Sequence, residues 1–227
     1  MDPLHALATC EILRAVDDTL AGDPVNWLHR RLCASGAWRA AVAGNLLPWA
    51  LSEVELGGDV LEIGPGPGAA TPLLIPRVRH LTCVEIDPGF ADRLRRRFAG
   101  RNVSVRCEDA TRMSAADCSF DTVLCMMVLH HVAPEERQDR LFAEVARILR
   151  PGGTFVMVET RIGLLIRALH VGDTFVPVDP ATIEDRLLRS GLGDVDVDVR
   201  SRAVRVVARR RERTRGSSHG DTHDSAG

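Results

Sequence analysis

Lysine and tyrosine are both missing from this 227-residue chain. All 29 basic residues are arginine, set against 31 acids for a formal charge of −2. That balance gives no global pull toward nucleic acid or an acidic membrane. The absence of lysine excludes a Walker-type phosphate loop, which needs the ammonium at its end. No apolar run approaches the roughly 20 residues of a membrane span. Asp2, His5 and Glu11 interrupt the start, where a secretory leader needs an apolar core. A cytoplasmic protein is expected, with no membrane partner. The six cysteines (Cys10, Cys33, Cys83, Cys107, Cys118 and Cys125) lack the two-residue spacing of zinc knuckles and redox pairs. They are expected to be free, buried thiols packing as small hydrophobes, with no metal site.

What is present centres on residues 59–69. Val60, Leu61 and Ile63 form a short buried strand, Gly64, Gly66 and Gly68 follow at every second position, and Ala69-Ala70-Thr71 opens a helix. A strand turning through glycines brings bare backbone close to a ligand, because glycine has no Cβ to block the approach. Glu62 sits two residues before the first glycine, where a carboxylate can face that ligand. A tight turn in a protein that binds nothing is the competing explanation of this stretch alone.

Upstream, residues 2–20 show helical spacing behind Asp2-Pro3. A second helix follows Gly22-Asp23-Pro24, with Val25, Leu28, Leu32 and Cys33 on one face. A third runs from about Trp38 to Leu51, with Pro48 disturbing its last turn. Residues 1–56 thus read as an N-terminal helical cap, packed on the main domain or walling a pocket. From residue 59 strands alternate with helices, the mark of a parallel sheet covered on both faces. Strands are expected at 59–63, 81–86, 103–105, 120–127 and 154–158, and helices at 69–76, 88–99 and from Pro134 to Leu149, where Arg150-Pro151-Gly152-Gly153 turns the chain. Short helices are expected at 162–169 and from Asp179-Pro180 to Ser190-Gly191. Val195–Val199 and Val204–Val207 flank a polar turn and read as an antiparallel hairpin. The fold class is α/β: a doubly wound, mostly parallel seven-stranded sheet of Rossmann-like form, with an antiparallel C-terminal hairpin. The main domain spans 57–210, and 211–227 reads as a disordered tail.

Three acids fall at strand ends. Glu85 lies 21 residues after Gly64, on the strand beside the first, where it can accept both hydroxyls of a ribose. A hydrogen bond to a charged group contributes roughly 1.5–3 kcal/mol. Asp87 suits a helix cap better, with Pro88 behind it. Asp109 follows the third strand and can accept from an exocyclic amine. With no cation in the glycine loop, this set suits a nucleoside carrying an amine or cation rather than a phosphate-rich ligand.

In these stretches the chain resembles the class I S-adenosylmethionine-dependent methyltransferases. The matching residues are Val60–Gly68, Val84-Glu85-Ile86-Asp87, Glu108-Asp109-Ala110, Phe120-Asp121-Thr122-Val123 and Leu149-Arg150-Pro151-Gly152-Gly153, across about residues 57–208. The resemblance implies S-adenosyl-L-methionine as cofactor. It further implies that Glu62, Ile63, Gly64, Gly66 and Gly68 hold the methionine end, Glu85 and Ile86 the ribose side, Asp109 and Ala110 the adenine, and Cys125 and Met126 the methionine side. The terminal hairpin would insert an antiparallel strand into the sheet. Cys125-Met126-Met127-Val128-Leu129-His130-His131 resembles the small-molecule branch, which often reads Leu-His-His here, rather than the RNA adenine dimethylases. A small-molecule methyl acceptor, in bacterial secondary metabolism, is therefore expected, with the protein acting as a monomer or homodimer.

His130 and His131 lie past the end of the fourth strand, where a histidine can take a proton from an acceptor hydroxyl or amine. The resemblance implies that His130 stands nearer the acceptor. Packing of the next helix is the competing role. Glu159, His170 and Asp173 could also face the pocket. Three alternatives stand beside the main reading. Eight arginines between 200 and 215 keep RNA methylation open. Gly64, Gly66 and Ala69 fit a nicotinamide-type loop, although Glu62 would then crowd the pyrophosphate. A protein that keeps the fold without methylating is the third, because a fold does not determine chemistry.

Overall fold

The computed structural model describes residues 27–161 and 175–212, with side chains from Arg30 onward. The expected helices at 2–20 and 162–169, the candidates His170 and Asp173, and the expected tail beyond residue 212 lie outside these residues.

The seven strands are β1 (Asp59–Ile63), β2 (His80–Glu85), β3 (Val103–Cys107), β4 (Phe120–Met126), β5 (Leu149–Thr160), β6 (Leu192–Val199) and β7 (Ala203–Arg210). They form one sheet in the order β3-β2-β1-β4-β5-β7-β6. β7 runs antiparallel to both neighbours, and the other pairs are parallel. The hairpin therefore wedges β7 between β5 and β6, as the family resemblance implied. Strand order reverses between β1 and β4, which opens a crevice at their carboxyl ends.

The helices are α1 (Trp27–Cys33), α2 (Gly36–Ala41), α3 (Leu47–Ala50), α4 (Thr71–Leu74), α5 (Pro88–Arg97), α6 (Glu135–Ile148) and α7 (Ile183–Arg189). Alternate side chains of the central strands feed two cores. Val123, Phe155 and Met157 meet Leu141 and Val145 of α6 and Leu187 of α7. Leu124, Val156 and Val158 meet Leu47 of α3, Leu74 of α4 and Leu94 of α5 on the other face.

Four expectations change. The helix expected at Trp38–Leu51 is interrupted by a π turn at Val42–Leu46. Pro48 has no N–H for the normal ladder, and Leu47 N–H reaches back to Val42 O. Leu32, expected on a buried face, is 44% exposed. Arg150–Gly153 lies within β5 rather than before it, with Gly152 at φ +76. It is an irregularity inside β5, where pairing slips from Phe120↔Leu149 to Thr122↔Thr154. Of the cysteines, Cys33, Cys83, Cys118 and Cys125 are free. Cys107 departs from expectation, being disulfide-bonded.

The helical segment before β1 is tied to the sheet. Trp49 Nε1 donates to Asp198 Oδ2 at 2.7 Å. Arg205 donates to the carbonyls of Ala50 and Ser52 at 3.2 and 2.7 Å. At the amino ends of the strands, Arg150 bridges Asp59 and Asp121, and Arg79 also pairs with Asp59. Asp121 Oδ2 further accepts the N–H groups of Gly58 and Asp59 at 2.8 and 2.9 Å.

Candidate active site

The apolar run that buries β1 delivers its next residues to the crevice. Gly64 turns at φ +60, and a Cβ there would sit 2.6 Å from Val128 Cγ2. Only a residue without a side chain fits between the loop and the turn after β4. Gly66, at φ +54, is different: a Cβ there meets nothing within 4 Å. Its face is open space at the mouth of the crevice.

Glu85 ends β2 and is 5% exposed. Its Oε2 accepts Gly66 N–H at 2.8 Å and its Oε1 accepts Asp87 N–H at 2.9 Å. Burial raises its pKa, and those backbone donors partly oppose the shift. Ile86, the next residue, is 44% exposed and offers a bare apolar surface beside the carboxylate. Asp87 caps α5 by accepting Phe90 N–H at 2.8 Å, as Pro88 suggested.

Glu62 lies under the loop. It is buried, and its Oε2 accepts Thr71 Oγ1–H at 2.8 Å, with Cys83 Sγ at 3.7 Å. Burial pushes its carboxyl up to about 7, with a smaller push from Glu85. The structure thus sets Glu62 to brace the loop against α4. Ile63 packs its side chain into the core, so its backbone alone reaches the crevice. Gly68 turns at φ +75 against Leu94 Cδ2.

Asp109 follows β3. Its Oδ1 accepts from the N–H and hydroxyl of Thr111, both at 2.8 Å, and its Oδ2 pairs with Arg137 of α6. Ala110 packs beside it, half-buried. Glu62, Glu85 and Asp109 therefore stand at or just past the carboxyl ends of β1, β2 and β3, on one edge of the sheet. Cys125 is fully buried and Met126 half-buried at the end of β4.

After β4, Met127 adopts φ +57 and the chain enters a 3₁₀ turn, Leu129–His131. Glu159, from the end of β5, organises this turn. Its Oε1 accepts the N–H groups of Val128 and Leu129 at 2.8 and 2.6 Å, and its Oε2 lies 2.5 Å from His130 Nδ1. That contact places a proton on Nδ1, between the ring and Glu159. His130 is 3% exposed and its ring centroid is 4.1 Å from that of the half-buried His131. Gln138 of α6 donates to the carbonyls of Leu129 and Val176, both at 3.0 Å.

Sequence reasoning passed over Thr71, Arg137 and the threefold grip of Glu159. Glu159 carried a signal, a charged residue closing the apolar run Thr154–Val158. Arg137 carried none, since it lies 28 residues from Asp109.

A methyltransferase-domain family matches residues 61–157. Nodulation protein S of Rhizobium tropici is 28% identical over 166 residues, covering 69% of this chain and 68% of that protein. Ribosomal RNA small subunit methyltransferase A of Fusobacterium nucleatum is 43% identical over 60 residues, covering 26% of this chain and 23% of that protein. Against this last relative the chain spans under a quarter of the length. The solved N-methyltransferase NodS of Bradyrhizobium japonicum, in complex with S-adenosyl-L-homocysteine, has a TM-score of 0.64 and 23% identity, covering 88% of this chain and 98% of that one.

Proposed function

We propose that the chain is a class I S-adenosylmethionine-dependent methyltransferase that carries a methyl to a small organic acceptor, with the proton taken at His130. The observation that carries it is the Glu85–Gly66 contact, a buried carboxylate joined to a loop whose glycine face is open. These residues suit the cofactor. Glu85 takes the ribose hydroxyls on its remaining lone pairs, Ile86 lies against the nucleoside, and the N–H groups and open face of Gly64–Gly68 take the methionine end. Glu62 holds that loop through Thr71. Asp109 and the backbone of Ala110 take the adenine edge, and Arg137 fixes the carboxylate's direction. Backbone at Cys125 and Met126 closes the β4 side.

S-adenosylmethionine, when bound, supplies a methyl carbon activated by its sulfonium. The chain's own work is then alignment, exclusion of water and removal of one proton from the acceptor. Glu159 holds His130 in the tautomer whose Nε2 accepts that proton, and it stabilises the imidazolium that results. His131, its ring tilted 46° against that of His130, is the more exposed of the two. The Leu-His-His turn supports a small acceptor over RNA, and the helical segment before β1 would help shape its pocket.

Calorimetry tests the binding half. S-adenosyl-L-homocysteine is expected to bind and NAD not to bind; the reverse overturns the reading. For the chemistry, His130→Ala is expected to lower single-turnover rates about 100-fold or more, with homocysteine-product affinity kept. Glu159→Gln is expected to shift the pH profile of the rate. Turnover unchanged in His130→Ala would remove the proton-acceptor role.

A further inference from the structure

A cavity of about 410 Å³ opens on the α5 side of the glycine loop, away from the histidine turn. Arg30 and Arg31 of α1 face Arg93 and Arg97 of α5 across it, with Gly66 at its floor and Phe90 on its wall. No acid lines it. Arg30 spends its charge on Asp87 at 2.8 Å, and Arg97 Nη1 donates to the carbonyls of Pro67 and Gly68 at 3.0 and 3.2 Å. Arg30 and Arg93 also stack on Phe90, at 4.7 and 4.6 Å from the ring centroid. Asp87 compensates Arg30, whereas Arg31, Arg93 and Arg97 make no ion pair among the described residues.

Like charges gathered on one small cavity repel each other unless an anion sits among them. Guanidinium forks match phosphate and carboxylate oxygens in pairs, and stacking on an aromatic ring pre-orients them at little entropic loss. The contrast with the other side of Gly66 is chemical: acids at the strand tips, arginines here. The cofactor's methionine end carries one carboxylate, which can engage one guanidinium fork but not all four arginines. We propose that the arginine-lined cavity is a separate binding site for the phosphate or carboxylate group of a second ligand, seated against the glycine loop. The Arg30–Asp87 pair positions it, because it ties α1 to the cap of α5 and so sets Arg31 opposite Arg93.

The test uses the full chain at constant ionic strength, with inorganic phosphate and pyrophosphate as probes. Saturable binding is expected, tighter for pyrophosphate, and weakened about 10-fold or more in the double variant R31Q/R93Q. S-adenosyl-L-homocysteine affinity is expected to stay within twofold in that variant. Non-saturable binding, or equal affinity in wild type and variant, overturns the proposal. If S-adenosyl-L-homocysteine instead loses affinity while 5′-methylthioadenosine, which lacks the carboxylate, keeps its own, the arginines serve the cofactor and the separate site is refuted. Should the methyltransferase reading fail, S-adenosyl-L-homocysteine would not bind wild type at all, whatever phosphate does.

Discussion

The two ends of the sheet carry acids in opposite condition. At the amino ends, Asp59 and Asp121 are paired with Arg79 and Arg150. The Arg79 and Arg150 guanidinium groups hold Asp59 below its ordinary value. Burial pulls Asp121 upward, but the Asp59 N–H, Arg150 and the Gly58 N–H outweigh it and hold it low. At the carboxyl ends, Glu62 and Glu85 are more deeply buried, have no cation at hand, and are pushed up. The acids are thus charge-paired struts at one end and, at the other, buried carboxyls held by hydrogen bonds without a cation. A cationic ligand is what the second end lacks, and perturbed, unpaired acids of this kind gather at functional sites.

The largest expected effect follows from Glu62. Its folded pKa of about 7 lies above the ordinary 4.5. The native state therefore binds the proton more tightly than the unfolded chain. The stability this contributes is complete below about 4.5 and is lost as pH rises through about 7. Glu62→Gln removes that dependence. Its stability relative to wild type should rise by roughly 3 kcal/mol between pH 5 and pH 8, read from urea unfolding midpoints. Parallel curves for the two proteins would erase the contrast between the sheet ends.

The next effect is on binding. Glu85→Ala should weaken S-adenosyl-L-homocysteine by about 10-fold or more, as charged hydrogen bonds to the ribose are lost. Asp121→Ala should leave that affinity unchanged. Calorimetry on both variants sharpens the comparison, and equal losses would mean that the two ends are coupled through the strands.

How far the chain announced this is uneven. The alternation of strands and helices, the glycine loop and the acids after β1, β2 and β3 were legible, because period and position determine which end of a parallel sheet a residue reaches. The condition of each acid was not. Glu62 looked like a ligand contact, yet a hydroxyl contributed by Thr71, nine positions on, turns it inward. Asp109 looked open, yet Arg137 arrives from α6. Glu159 gathers three donors from the turn after β4, 29 to 31 residues earlier in the chain. Each partner comes from a different element, and pattern within one element carries no information about it. The π turn before Pro48 and the slip inside β5 were missed for a related reason: proline and glycine mark a disturbance without saying whether the chain breaks or bulges.

The smallest expected effect completes the comparison at the amino end. Arg150→Ala removes the bridge between Asp59 and Asp121, whose side chains are 22% and 31% exposed. Asp59 keeps Arg79, and Asp121 keeps the N–H groups of Gly58 and Asp59. Partly solvated pairs are worth little, so the loss in unfolding free energy should be about 1 kcal/mol. Its pH signature runs opposite to that of Glu62. A lowered carboxylate contributes stability above its unfolded value, 3.8 for both aspartates, and loses it as pH falls through the folded value. The variant should therefore match wild type more closely in acid than at pH 7. S-adenosyl-L-homocysteine affinity should stay within twofold, since the strands between the two ends are rigid and fully buried. A tenfold loss of affinity in Arg150→Ala would show that the amino-end network holds the glycine loop in place, and the division between strut and site would fall.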